Sequence, residues 1–311
     1  MRITANTFPN SLINQLTSLS QRQNKLQNQA ATGQLVQSPE DDPVAMRRIL
    51  DLQAEGKSVG QYQRNIDRHQ ELAVDSFNSI KALKTVSVRA QEISISAGGV
   101  TNQDDLNLYA NEITQQIMSA VQAANSKNRG DHLFGGTRSD QPPFVMTTDA
   151  NGNVTSVTYQ GNATLAESEI ASGVTISAQS IGENTSGSGP RGLIADSRTG
   201  ADFFNHLISL QNNLLSGNVA AIASNDLANL AKDEENLLYH IGTNAAIQSR
   251  LEVSDSIASR RTDTLEALVS KEADADLAQT LVRLNQTQTA YQAALQSAGK
   301  ILNSSLLDYI R

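Results

Sequence analysis

LAQTLVRLNQTQTAYQAALQSAGKILNSSLLDYIR, residues 277–311, carries its apolar side chains in a narrow repeat. Leu277, Leu281, Leu284, Tyr291, Leu295, Ala298 and Leu302 advance by fours and threes. Leu306 falls one residue wide, and Gln288 takes the one polar place on the seam. Two apolar positions in seven make the edge of a coiled coil, whereas a helix facing a globular core carries a wider stripe. The spacing predicts a helix, and its narrowness predicts a helical partner.

The other end of the chain offers one. Leu12, Leu16, Leu19, Leu26 and Ala30 repeat the same steps, again with a glutamine, Gln23, at the fourth seam position. A lone helix of this length is marginal in water. The two ends are therefore expected to pair, to stay unfolded in the free monomer, and to use these leucines and Tyr291 as partner-binding residues, within one subunit and against neighbouring copies.

Charge supports the pairing. The chain has 311 residues and a formal charge of −8. Residues 1–43 balance Arg2, Arg22 and Lys25 against Glu40, Asp41 and Asp42. Residues 274–311 balance Arg283, Lys300 and Arg311 against Asp274, Asp276 and Asp308. The ends are rich instead in neutral amides, such as Asn14, Gln15, Gln21 and Asn24. Burying an unpaired charge costs several kcal/mol, while amides satisfy one another. An acidic chain is a poor match for nucleic acid or an anionic membrane surface.

Between the ends, punctuation marks out the elements. Gly33 stops the first helix, and Asp42-Pro43 starts a second that meets no breaker before Gly98-Gly99, roughly 80 Å at ~1.5 Å per residue. Gly56 and Gly60 are its weak points. Thr101 and Asp104 suggest a capping box for a third helix, closed by Arg129-Gly130. From His132 the period changes to alternation, with Asp149-Ala-Asn-Gly152 as a hairpin turn before Val154–Tyr159, and a further strand at Val174–Ala178. Helical spacing resumes at Asp202, pauses at Gly217, and runs on through Leu227, Leu237, Leu251 and Leu268. The expected fold is mainly α: a long antiparallel helical rod or coiled coil formed by both chain ends, with a small β-rich insertion. The expected parts are 1–42 with 273–311, 43–131 with 201–272, and 132–200. The insertion is too poor in apolar residues for a deep core of its own.

Signals for chemistry are weak. Without cysteine there is no disulfide, thiol nucleophile or cysteine zinc site. His69, His132, His206 and His240 lack a second ligand at metal spacing on their own helices. Asp149, Asn151 and Asn153 mimic a calcium loop, but glycine stands fourth rather than sixth and Gln160 replaces the bidentate glutamate. GENTSGSG, residues 182–189, has phosphate-loop glycines without the lysine and reads as a flexible linker. Asn153, Asn162 and Asn184 begin glycosylation-type triplets of a kind common in such composition. No nucleophile–base–orienter set emerges. The expectation is no enzyme, no cofactor and no metal. No apolar run reaches the ~18 residues of a membrane span. The start lacks a cleaved-signal pattern, so a cytosolic protein, or one leaving by a route without such a signal, is expected.

Several stretches together resemble the flagellin-related family, and within it the branch at the hook–filament junction. They are the opening Met1-Arg-Ile-Thr4, then Thr32-Gly33 with SPEDDP at 38–43 and QYQRNID at 61–67. HLFGG at 132–136, PPF at 142–144, YQG at 159–161 and YQAAL at 291–295 follow, with Ile301-Leu302 and LLDY at 306–309. The resemblance spans nearly the whole chain and is strongest at its ends. It implies a structural protein secreted through the flagellar type III channel to the extracellular flagellum. There it would form a ring of copies between a neighbouring hook-associated protein and flagellin, after an export chaperone has held its C-terminal region in the cytosol. A filament-forming flagellin is the near alternative, and a soluble helical scaffold the distant one.

Overall fold

The computed structural model describes residues 7–309, with side chains for 10–300. The Met1–Thr4 motif and the side chains of Leu302 and Leu306 lie outside the described residues. Helices come first: α1 (Thr7–Thr32), α2 (Pro43–Ala97) and α3 (Gln103–Ala124). Strands β1 (Lys127–Asn128), β2 (Asp131–His132), β3 (Phe144–Thr148), β4 (Val154–Tyr159), β5 (Ser168–Ala171), β6 (Val174–Ile176), β7 (Ile181–Asn184), β8 (Gly192–Asp196) and β9 (Ala201–Asp202) follow. Then come α4 (Phe203–Leu215), α5 (Val219–Ala221), α6 (Leu227–Ala273) and α7 (Leu277–Tyr309). The chain is mainly helical, with long helices at both ends and a small β-rich middle. It divides into two compact units, residues 1–58 with 261–311, and residues 59–260.

In the first unit the sequence punctuation works as read. Gly33 takes φ +73°, the left-handed conformation that ends a helix without a Cβ penalty. Asp42 Oδ1 accepts from the backbone N–H groups of Val44 and Ala45, both at 3.0 Å, and so caps α2. Helix α2 continues unbroken through Gly56 and Gly60. Asp276 Oδ1 accepts from Gln279 N at 3.0 Å and opens α7.

The second unit is organised by one hydrophobic cluster. Ile80, Leu83 and Ile93 of α2 join Leu106, Ile113 and Ile117 of α3, Phe203, Leu207 and Leu210 of α4, and Leu230 and Leu237 of α6. Phe134, Phe144, Val154 and Leu193 from the strand region belong to the same cluster. The β-rich segment therefore shares the helices' core. The Phe144 ring lies 5.2 Å from both Tyr159 and Phe204, centroid to centroid, at tilted and edge-on angles favourable for aromatic pairs. Helix α3 packs on α4, and β3 and β4 form the expected hairpin. Asp149 Oδ1 accepts from Asn151 N and Asn153 N across its turn, and Gly152 sits at φ +87°.

Several local expectations need correction. The cap of α3 is Asn102, whose side chain accepts from Asp104 N; Thr101 lies one residue too early. Helix α3 ends at Ala124, and Arg129-Gly130, at φ +51° and +101°, turns the β1–β2 hairpin instead. A π-helical turn at Ile222–Asp226 precedes α6.

The segment taken for a flexible linker is a bonded loop between two parallel strands. β7 and β8 pair in parallel, and β9 closes the sheet antiparallel. Parallel neighbours usually need a crossover of a dozen or more residues; here the link is only 185–191. Buried Asn184 holds it, donating to Ser188 O and Pro190 O at 2.6 Å and accepting from Ser186. A Cβ on Gly192 would collide with Ala195 O and Asn184 N, so the return is built for glycine.

Candidate assembly surface on the paired ends

The two ends meet as expected, and a short clasp joins their roots. Leu35 N donates to Ala273 O at 2.7 Å, and Ala275 N donates to Gly33 O at 2.8 Å. Gln34 and Asp274 form an antiparallel bridge between them. Gln29 Nε2 donates to Leu35 O, and Val36, Ala45, Ile49 and Ala273 make a small apolar cluster beneath. From this clasp α1 and α7 pack side by side, running in opposite directions.

The turn below α1 is held electrostatically. Lys25 Nζ lies 2.8 Å from Asp41, which also accepts from Gln37 N and Ser38 N. The lysine's hydrogen bond, followed by the two backbone ones, holds the Asp41 carboxyl down at about 2. The pair is exposed, so its worth lies in fixing the loop rather than in stability. Along the rest of the unit, Arg48 reaches Glu272 at 3.7 Å and Arg261 reaches Glu55 at 2.5 Å.

On α1 the expected seam positions are sheltered to different degrees, and Gln29 beside them is buried too. Leu12, Leu16, Leu19, Gln23 and Ala30 are half-buried, and Leu26 is buried. Helix α7 differs. Leu284 and Tyr291 are half-buried and Ala298 is buried, yet Leu277, Leu281 and Leu295 are 49 %, 51 % and 46 % exposed. The sheltered line runs instead through Thr280, Leu284, Thr287, Tyr291, Ala294 and Ala298. These positions also advance by fours and threes, in a register rotated from the leucine line by less than a third of a turn. Sequence reasoning weighed leucine over threonine and so missed Thr280, Thr287 and Ala294. Their shared 4-3 spacing was the available signal. Val282 on α7 and Ile13 on α1 are exposed as well, at 55 % and 57 %.

Helix α7 thus has two faces. One, where Thr280, Thr287, Ala294 and Ala298 alternate with Leu284 and Tyr291, is turned to α1. Thr287 Oγ1 donates to its own helix at Arg283 O, which removes the cost of sheltering it. The other, leucine-bearing face has no cover among the described residues.

Other titratable groups are sheltered in the 59–260 unit. His206 Nδ1 lies 2.7 Å from buried Asp233, whose other oxygen accepts from Asp202 N. Burial lowers the pKa of His69 and His132, and pushes His240 down to about 4. Burial beside Asp202 pushes Glu183 up to about 7. Among the described residues no group of three or more His, Asp or Glu is placed to hold a metal. No helix of the described residues is long and apolar enough to cross a membrane.

Neither a protein-family model nor a curated protein matches the sequence. Solved structures match by shape. A flagellar hook-associated protein from Vibrio parahaemolyticus superposes with a TM-score of 0.63 at 19 % identity, covering 75 % of this chain and 100 % of its own. Hook-associated protein-3 from Legionella pneumophila gives 0.59 at 14 %, covering 72 % and 98 %. The FlgL protein of Xanthomonas campestris gives 0.55 at 16 %, covering 69 % and 98 %. The fold is that of flagellar hook-associated proteins. These structures are spanned almost end to end, while about a quarter to a third of the present chain has no counterpart in them.

Proposed function

We propose that the chain is a structural adaptor subunit of the bacterial flagellum, seated at the hook–filament junction and assembled through its paired ends. The observation that carries this reading is the uncovered leucine face of α7. Fully burying a leucine contributes about 1.5–3 kcal/mol before ordering costs. On the face turned to α1, Leu284 and Tyr291 are sheltered only in part, so pairing inside one subunit leaves much of this gain unrealised. A helix pair of this kind gains its stability when further copies cover Leu277, Leu281 and Leu295. Near-neutral, amide-rich ends suit the same burial. The shared fold with hook-associated proteins supports the choice of organelle.

The finer parts of the proposal follow from the sequence resemblance. The chain leaves the cell through the flagellar type III channel, after a cytosolic chaperone has held its C-terminal region. It forms a ring of copies that contacts a neighbouring hook-associated protein on one side and flagellin on the other. Residues 1–42 with 273–311 act as the assembling part, 43–131 with 201–272 as the helical part and 132–200 as the insertion.

Immunogold labelling of intact cells tests the reading. Label confined to the boundary between hook and filament is expected, and label along the whole filament would overturn it in favour of a filament subunit. Label only in the cytosol would leave a soluble scaffold. Hydrogen exchange on the purified monomer tests the order of events: amides of α1 and α7 should be poorly protected before assembly and protected after it.

A further inference from the structure

Two arginines flank β8, Arg191 just before it and Arg198 just after, and only one is neutralised. Arg198 is paired with buried Asp196 at 2.6 Å and also reaches Gly189 O and Pro190 O. Arg191 is held as firmly, but by neutral groups. Its Nε donates to Asn236 Oδ1 at 2.6 Å, and its guanidinium carbon sits 4.1 Å from the centre of the Tyr239 ring. Asn236 is fully buried and is itself fixed, donating to Gly192 O and Leu193 O at 2.9 and 2.8 Å. Among the described residues Arg191 makes no ion pair. Its planar fork is pre-set, with the terminal nitrogens left over for a partner.

Arg191 also lines a cavity of about 200 Å³. Its polar lining includes Gln179, Ser180, Thr243 and Asn244, and no carboxylate. The amide oxygens are already engaged: Gln179 Oε1 accepts from Ala166 N, and Asn244 Oδ1 accepts from Gln248 Nε2. What these two amides have left to offer is N–H. His240 is turned by its Nε2–H bond to Gly192 O at 3.1 Å and stays neutral in its buried place. A hollow with one fixed cation, several free donors and no acid is complementary to an anion.

We propose that this cavity receives one carboxylate, gripped by the terminal nitrogens of Arg191 and by N–H and O–H groups of Gln179 and Thr243. The carboxylate is that of an aspartate or glutamate side chain on a neighbouring protein chain, or of a free small acid. The chemistry is shared, and the test separates the sources.

The full chain is titrated with sodium acetate at constant ionic strength, with acetamide as the neutral isostere. The Arg191 Nε–H and the backbone amides of Gly242 and Thr243 are followed by NMR. Saturable acetate shifts absent with acetamide are expected. Arg191→Gln should weaken binding about tenfold or more, and Thr243→Val about threefold, from the loss of charge-assisted hydrogen bonds. A blocked Gly-Asp-Gly peptide that binds more tightly than acetate assigns the pocket to a protein side chain; equal or weaker binding assigns it to a free acid. Shifts that fail to saturate by ~100 mM, that appear equally with acetamide, or that persist unchanged in Arg191→Gln overturn the proposal. Thr243 is exposed on α6, so its variant decides the matter if Arg191→Gln unfolds.

Discussion

In the unit of residues 59–260, Ile66, Ile80, Leu83, Ile113, Phe134 and Leu207 are fully buried. Along the paired ends, by contrast, only Leu26 among the α1 leucines is buried, and three leucines of α7 are about half exposed. The apolar residue types are similar; the geometry differs. Helices α2, α3, α4 and α6 share one apolar cluster with the strand region, whereas among the described residues α1 and α7 pack chiefly on one another. A two-helix seam shelters one narrow stripe per helix, and α7 gives half or more of that stripe to Thr280, Thr287, Ala294 and Ala298. The first region buries a continuous core within one chain. The second has a face still waiting for cover.

The contrast breaks most readily in the core. Phe144→Ala should cost about 3–5 kcal/mol of stability, seen as an early transition in urea, because the ring lies between Tyr159 and Phe204 with no room to collapse. A loss below about 1 kcal/mol would mean that this core is as loosely filled as the ends.

A smaller effect of opposite sign is expected at Glu183. Its folded pKa, raised to about 7 from 4.5 by burial and by Asp202, means that the folded state binds the extra proton between those values. Stability from this group is full below pH 4.5 and is lost as pH rises through 7. Glu183→Gln should therefore stabilise the protein at pH 8, by about 2 kcal/mol once the shift is discounted for solvent screening of this part-exposed group, and by nothing at pH 4, as read from the difference in melting temperature.

Next comes the inner seam. Leu26→Ala should remove about 1–2 kcal/mol from the end pair while leaving the main transition of the 59–260 unit in place. Loss of helical circular dichroism at low temperature, ahead of the main melt, is the expected signature.

The smallest change in the free chain should have the largest consequence in the assembly. Leu281→Ser with Leu295→Ser should shift monomer stability by no more than about 0.5 kcal/mol, since both side chains are exposed. The same variant should fail to enter the flagellum. Normal motility and normal incorporation would sink the assembly role of this face.

Much of the fold was legible because it is written in local breakers. Gly33, Asp42-Pro43, Gly98-Gly99, the 149–152 turn and Gly217 each act through their own backbone, with little tertiary context needed. The rotation of α7 was not legible, because the leucine line and the threonine line share a period and lie close together on the helix. Which one faces inward depends on how near α1 can approach, and a small-residue face permits the closer approach. The parallel β7–β8 pair was hidden for another reason. Its short return depends on Asn184, Gly192 and Asp196 acting together, and glycine-serine composition alone reads as slack chain. Arg191 was passed over entirely, since a lone arginine acquires meaning only when Asn236 and Tyr239, some 45 residues on, are brought beside it.

The clasp at Gly33–Leu35 and Ala273–Ala275 has a mechanical consequence. Two long helices whose seams repeat similar residues every seven have little of their own to fix how far one slides along the other. Two backbone bonds at the root set that offset for the whole length, so inserting or deleting one residue between Ala30 and Gly33, where the α1 seam meets the clasp, would displace every rung above by about 1.5 Å. Alignment of the prongs is decided at the stem.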